Sequence, residues 1–196
     1  MLIKSPITPW YSQEHFPEVA KTAFVSQSAS IIGPVKIGEH VMISPGVSIR
    51  GDEGGKIFIG DKTNVQDNVV MHGLKEQTVK AGEDAYSIYI SEEVSCAHAC
   101  IIHGPAFIGR NTFIGFSAII HHATVGNNCF IGHGAKVIGV QIPDGKYVPF
   151  GMVIHTPEAV SDLPNVMDKD SHIFRFNPEV VEVNVELAKG YNAQKK

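Results

Sequence analysis

The sequence predicts an all-β fold, a parallel β-helix of six-residue repeats with a C-terminal α-helix packed on its outside. Three observations support this. Aliphatic residues recur at every sixth position, a glycine or short polar residue often follows them, and the last part of the chain changes to a helical pattern. A period of six fits neither an α-helix nor a long alternating strand. It fits short strands and tight turns, with one aliphatic side chain pointing inward per side of a triangular coil of about 18 residues.

The aliphatic repeat falls into four runs, and a small or branched residue lies two positions before most of its members. The runs are Val19 to Ile49, Ile59 to Met71, Ile90 to Ile120 and Val125 to Val137, with a five-residue step between the last two. The three cysteines, Cys96, Cys100 and Cys129, lie on these inward rows, so we expect them in the core. Their odd number and the lack of a CxxC motif argue against a disulfide framework and a cysteine zinc site.

The rest of the chain is organised around this repeat as one predicted domain, residues 1–196. We expect an extended segment over 1–18, the β-helix over 19–155, a connector over 156–176 and the helix over 177–192. Asn177-Pro178 supplies a cap and a first-turn proline for that helix. The residues of its predicted inner face, which would pack along the β-helix, are Val180, Val183, Asn184, Leu187 and Tyr191.

Composition excludes several classes of protein. A net charge of −4 over 196 residues gives no basic surface, so we expect no nucleic-acid partner. No apolar run is long enough to cross a bilayer, so we expect no membrane partner. The opening segment MLIKSPITPWYSQEHF contains two prolines and no apolar core, which argues against a signal peptide and favours the cytoplasm.

Two insertions interrupt the repeat, a small bulge at 52–55 and a loop without a strand pattern at 74–86. Without them, His72 and His103 fall on the same side of successive coils, stacked about 5 Å apart. Arg50 lies one coil below His72. His98 belongs to the preceding side, directly above Asp67. The adjacent His121 and His122 have no third partner that the repeat can place, so we interpret them as surface or interface residues.

Three histidines on two sides of a prism cannot easily bind one metal within one chain. A second copy could supply His98 to the His72–His103 pair of its neighbour, which predicts a closed ring, a homotrimer with metals between its subunits. Three protein ligands and an open position are typical of catalytic zinc, which makes its bound water a nucleophile near neutral pH. Carbon dioxide, a small electrophile, is a suitable substrate.

The motifs SIRGDEG (48–54), IGDKTNVQDNVVMHG (59–73) and SCAHACIIHGPAFIG (95–109) resemble those of γ-class carbonic anhydrases. VGNNCFIG, IPDGKYVPFGMV and VEVNVELAKGY are similar too, so the resemblance covers nearly the whole chain. It extends to the archaeal enzyme and to the N-terminal domain of the cyanobacterial carboxysome scaffold protein. The resemblance implies a left-handed β-helix, carbon dioxide and bicarbonate as reactants, and zinc, iron(II) or cobalt(II) as the metal.

The resemblance also implies residue roles. His72 and His103 would be metal ligands from one subunit and His98 from the next. The other implied roles are catalysis for Glu53, orientation of the bound water and bicarbonate for Gln66 and Asn64, subunit contacts for Arg50, Asp52 and Asp67, anion binding for Arg50, and lining of the substrate pocket for Asn184.

One position departs from the family pattern. The archaeal enzyme has a proton-shuttle glutamate three residues after its first ligand, where this chain has Lys75. A lysine gives up its proton reluctantly at neutral pH. We therefore expect the adjacent Glu76 to act as the shuttle, or proton transfer to depend on buffer.

Two other functions remain open. A hexapeptide acyltransferase shares the scaffold and often uses one histidine as a general base, and fold does not decide between the two. A non-catalytic or weakly active assembly module is the second alternative, with carboxysome components as partners if the source is a cyanobacterium.

Overall fold

The computed structural model describes residues 1–168 and 171–194. Residues 169–170, in the predicted connector, and 195–196, after the predicted helix, lie outside the described residues. In chain order the strands are β1 (Leu2–Ile3), β2 (Glu18–Val19), β3 (Phe24–Val25), β4 (Ser30–Ile32), β5 (Val35–Ile37), β6 (Met42–Ile43), β7 (Ser48–Arg50), β8 (Ile57–Ile59), β9 (Asn64–Val65), β10 (Val70–His72), β11 (Val79–Ala81), β12 (Asp84–Tyr86), β13 (Ile88–Ile90), β14 (Ser95–Cys96), β15 (Ile101–Ile108), β16 (Phe113–Ile114), β17 (Ile119–Val125), β18 (Phe130–Ile131), β19 (Lys136–Ile138), β20 (Gln141–Ile142), β21 (Tyr147–Val148) and β22 (Val153–Ile154).

The strands stack in parallel on three sides of a prism. One side carries β3, β6, β9, β14, β16, β18 and β21. The other two sides are joined because β15 and β17 turn the corner between them: the first half of β15 pairs with β10 and its second half with β13. The register follows the sequence repeat, since Met71 lies opposite Ile49 on one neighbouring strand and Ile102 on the other.

The core is the column of aliphatic side chains inside the prism. Ile49, Met71 and Ile102 are fully buried, and so are Cys96 and Cys100. Burial of each large aliphatic side chain stabilises the fold by about 1.5–3 kcal/mol. Cys129 is buried as well, and burial raises the pKa of its thiol to about 11, as expected of an unreactive core cysteine. The predicted parallel β-helix of hexapeptide repeats with an outer C-terminal helix is confirmed.

Three helical segments follow the β-helix. They are α1 (Pro157–Ser161), a 3-10 turn (Val166–Asp168) and α2 (Ser171–Gln194). α2 therefore begins six residues before the predicted start at Asn177, and the predicted cap is wrong. The amide of Asn177 instead donates to the backbone oxygen of Glu93 and to Oδ1 of Asn111, each at 2.9 Å. These bonds fasten α2 to the β-helix, and α2 continues through Pro178, a residue that on its own disfavours a helix interior.

The buried face of α2 also differs from the predicted one. Val181 and Ala188 are buried, whereas Val183 and Leu187 are 58% and 44% exposed. Tyr191 stacks on Phe24, with ring centroids 4.6 Å apart, although it is partly exposed. The small side chain of Ala188 allows the helix to approach the β-helix, and this selects a face that hydrophobicity alone does not indicate.

The loop at 74–86 contains a hairpin that the sequence did not predict. β11 pairs with β12 in antiparallel register, and Gly82 in the turn has a φ of 63°. A glycine at this position is typical of tight hairpin turns. Within the described residues, no helix is both long enough and apolar enough to span a membrane.

Candidate metal centre

The first group of candidate ligands lies on one side of the prism, on strands β7, β10 and β15. The register places Arg50, His72 and His103 directly above one another. The two imidazole rings meet edge to face, with Nδ1 of His72 3.4 Å from Nε2 of His103. Two nitrogens bound to one tetrahedral zinc are about 3.3 Å apart, given zinc–nitrogen bonds of about 2.0–2.1 Å. The pair therefore fits a metal of this size.

The tautomer of His103 also fits metal binding. Its Nδ1 lies 3.2 Å from the backbone oxygen of Gly104, which can only accept a hydrogen bond. Nδ1 therefore carries the proton, and the lone pair is on Nε2, the nitrogen that faces His72.

Acidic and basic side chains surround this pair. Arg50 donates to Oδ2 of Asp52 at 3.0 and 3.1 Å. Nε2 of His72 lies 3.4 Å from Oε1 of Glu53 and has no hydrogen-bond partner among the described residues. Burial and then the Arg50 charge lower the pKa of His72, and these effects outweigh the opposing one of Glu53. His72 is therefore neutral at pH 7, as a metal ligand must be, and its contact with Glu53 is not an ion pair.

The second group lies at a corner after β14. Nδ1 of His98 is 3.0 Å from Oδ2 of Asp67, and the His98 side chain is 54% exposed. The carboxylate accepts the Nδ1 proton, which leaves Nε2 of His98 free to bind a metal. Carboxylates commonly orient metal-binding histidines in this way.

A cavity of about 340 Å³ opens beside His98. Gln66, His98 and Asn184 line it together with Phe116. Gln66 donates to Oδ1 of the fully buried Asn64 at 3.0 Å, and Asn64 donates to Oγ of Ser95 at 2.8 Å. These bonds orient Gln66, yet its buried Oε1 has no hydrogen-bond partner in the described part of the chain. A buried acceptor of this kind calls for a further donor.

The two groups do not form one site within a protomer. Among residues 1–168 and 171–194, no three His, Cys, Asp or Glu side chains come together to hold a metal. Glu76, the expected shuttle, is 76% exposed and pairs with Lys75 at 3.4 Å. Lys75 in turn lies over the ring of Trp10, 5.2 Å from its centroid.

In the structure, His121 and His122 lie next to the first group of candidate ligands. His121 lies opposite His103 on the next strand, with ring centroids 5.0 Å apart. His122 contacts His121 and Gln77 of the hairpin loop. The 18-residue spacing of His103 and His121, one full coil, could have revealed the first contact. The contact with Gln77 depends on how the loop folds back and has no sequence signal.

Comparisons with known proteins agree with the fold. Residues 105–139 match the family model for the bacterial transferase hexapeptide (six repeats). A solved hexapeptide transferase family protein from Anaplasma phagocytophilum superposes with a TM-score of 0.72 at 26% identity, over 90% of this chain and 93% of that one. The protein is therefore a hexapeptide-repeat β-helix protein.

Two relatives identify the family to which this β-helix protein belongs. The chain is 43% identical to the carbonic anhydrase of Methanosarcina thermophila over 96% of this chain and 80% of that protein. It is 40% identical to the carboxysome assembly protein CcmM of a Nostoc species over 95% of this chain, but spans a third of that protein's length. This chain belongs to the γ-class carbonic anhydrase family.

Proposed function

We propose that this protein catalyses the reversible hydration of carbon dioxide to bicarbonate at metal sites shared by neighbouring subunits of a homotrimer. The observation that carries the proposal is the division of the candidate ligands. His72 and His103 form a pair with the separation that a shared metal requires, and His98 stands apart with its Nε2 free. Membership of the family supports a carbonic anhydrase-like chemistry and a metal cofactor.

The placement of these ligands supports a closed ring of subunits, which we propose to be a trimer. One protomer offers a pair of histidines on one side and a single histidine at a corner between sides. A ring of three copies brings each single histidine to the pair of the next subunit and leaves no ligand unused. The same contact would place the His98 cavity, with Gln66 and Asn184, over the proposed metal.

Zinc fits the donor set best, because three imidazoles around an open position are typical of catalytic zinc. Iron(II) and cobalt(II) also bind imidazole and remain alternatives. When bound, the metal would supply the Lewis acidity that makes water a nucleophile near neutral pH.

The surrounding residues support the reaction in distinct ways. Glu53, which lies close to His72, would accept a proton from the reacting water. Gln66, held by Asn64, offers its unpaired Oε1 to orient that water, and Asn184 lines the pocket for carbon dioxide.

Arg50, held by Asp52, offers positive charge to bicarbonate or to the neighbouring subunit. Glu76 is exposed to solvent and would pass the proton to buffer.

A second function is favoured by the similarity to CcmM, an assembly protein. The chain would then serve as a weakly active or inactive module that assembles with carboxysome components. The cytoplasmic location expected from the opening segment likewise stays a prediction.

Stopped-flow measurement of carbon dioxide hydration tests the proposal. Protein loaded with zinc, iron(II) or cobalt(II) should be active in at least one form, and a His98→Ala variant prepared in the same way should lose activity by at least about 10³-fold. Full activity of the variant would contradict the mechanism. No activity in any metal form would support the assembly function, and transfer of an acyl group from acyl-CoA by metal-free protein would support an acyltransferase.

A further inference from the structure

The hairpin loop begins beside the proposed metal ligands. It leaves β10 directly after His72 and returns to β13, and the backbone N–H of Leu74 donates to Oγ of Ser87 at 2.6 Å where the two ends meet. β11 packs against β13 and against β15, the strand that carries His103. The first part of the loop, from Lys75 to Thr78, is exposed.

One side-chain contact joins this exposed part to the β-helix. Oε1 of Gln77 is hydrogen-bonded to Nε2 of His122, at the corner in the middle of β17. Nδ1 of His122 lies 3.1 Å from Nε2 of His121, whose ring is in turn next to His103. One ring contact and two hydrogen bonds thus connect His103 to the loop.

The chemistry of the groups fixes the direction of these bonds. An amide oxygen only accepts, so Nε2 of His122 donates its proton to Gln77. The Nδ1 of His122 can then accept from the Nε2–H of His121. Each contact has one donor and one acceptor, so the two hydrogen bonds are compatible with each other.

The backbone at His122 allows the ring to be removed without strain. Its φ is 51°, in the left-handed region, as at other corners of the β-helix such as Ala99 and Ser117. The corner one coil on is occupied by Gly139 with a φ of 68°, so a glycine at position 122 would fit the same conformation.

We propose that His122 is a positioning residue: held by His121, it latches the 74–86 loop to the β-helix through Gln77. The latch restrains the segment that carries Lys75 and Glu76, which follows His72 closely in the chain. Its effect on catalysis rests on the proposed function, because it acts on the path by which the proton leaves the site. The latch itself does not depend on that function or on bound metal.

Limited proteolysis of the metal-free protein tests the latch directly. Trypsin cleaves after Lys75 and Lys80, which flank Gln77, so cleavage there reports opening of the loop. Gln77→Ala, at an exposed position, should speed cleavage about 5- to 10-fold, as expected for loss of one hydrogen bond. Gln77→Glu keeps the acceptor and should cleave as slowly as the wild type.

A double-mutant cycle distinguishes loss of the Gln77–His122 contact from a general destabilisation of the loop. His122→Gly removes the ring at a corner where glycine is unstrained, and the double variant with Gln77→Ala should cleave no faster than His122→Gly alone. His155→Ala, another exposed histidine, serves as the matched control and should leave cleavage unchanged. Additive effects, or wild-type cleavage of Gln77→Ala, would overturn the latch.

The catalytic consequence has its own readout. In dilute buffer Gln77→Ala should lower kcat for carbon dioxide hydration several-fold and leave kcat/KM unchanged, and added imidazole should restore kcat. An unchanged kcat, or an equal fall in kcat/KM, would overturn the positioning role in proton transfer. An inactive wild type would count against the proposed function, and the proteolysis would still decide the latch.

Discussion

The two groups of candidate ligands differ in how the fold holds them. His72 and His103 project from paired strands, contact each other, and are partly buried beside Asp52 and Glu53. His98 lies at an exposed corner, held by its contact with Asp67. The first group has a geometry already suited to a metal, whereas the second is a single side chain that is 54% exposed. In the proposed site, association of subunits would bring His98 to the His72–His103 pair, and the pair would supply most of the rigidity.

The largest expected effect comes from the paired group. His103→Ala removes a ligand whose tautomer and distance fit zinc, so each subunit should lose its bound metal and hydration should fall by about 10³-fold or more. His121→Ala is the matched control, since it removes the neighbouring ring one coil on. Metal content measured by elemental analysis should stay stoichiometric in the control. Retention of metal by His103→Ala would contradict the assignment of His72 and His103 as metal ligands.

A smaller effect is expected at Glu53, which does not bind the metal in the proposed site. Glu53→Gln removes the proton-accepting carboxylate and keeps the shape, so kcat should fall by about 10²-fold with metal content unchanged. Stopped-flow rates and metal analysis of the same sample compare kcat and metal content of the variant with those of the wild type. Wild-type kcat in this variant would exclude Glu53 from proton transfer.

Mutation of Asp67 tests the exposed group, His98, and we expect a smaller effect. Asp67→Ala removes the acceptor that fixes the His98 tautomer, and metal affinity should fall by about 10- to 100-fold. Chelator competition measures the change. Asp67→Asn keeps an oxygen acceptor, so its metal affinity should lie between those of the wild type and Asp67→Ala. Wild-type metal affinity in both variants would show that His98 needs no orienting partner.

The smallest expected effect concerns stability rather than the site. Burial lowers the pKa of His133, whose Nδ1 accepts a hydrogen bond from the backbone of Phe116 at 3.0 Å. Below the ordinary histidine pKa of about 6.5 the unfolded chain takes up a proton that the native state resists, so the free energy of unfolding falls as pH decreases. His72 and His121, whose pKa values burial also lowers, add to this trend.

Urea unfolding of the metal-free protein at about pH 7, 6 and 5 measures this dependence. His133→Gln should make it shallower, and His155→Gln should leave it unchanged. A steeper dependence in His133→Gln would show that the native state favours the charged form.

The fold was predictable because every coil repeats the same physical requirement. One aliphatic side chain per side must point inward, so the six-residue period reports the register directly, and the stacking of His72 on Arg50 followed from counting. The outer helix was less predictable. Its start and buried face depend on the contacts of Asn177 and on the small size of Ala188, which no local pattern reports.

The candidate site was predictable to a similar degree. The repeat placed His98 above Asp67 and on a different side from the histidine pair. It did not predict the hairpin or the contact between Gln77 and His122, because an insertion leaves the repeat and its path is set by tertiary contacts. The roles of Glu53, Gln66, Asn64 and Asn184 stay predictions that the experiments above can test.

The central claim is that the metal site forms between subunits, and subunit mixing tests it most directly. His98→Ala and His103→Ala protomers, each inactive alone, are unfolded together in equal amounts and refolded. A random trimer pairs an intact His98 with an intact His72–His103 pair at about one quarter of its interfaces. The account predicts recovery of about one quarter of wild-type activity and metal content. No recovery, from a mixture shown to contain mixed trimers, would contradict it.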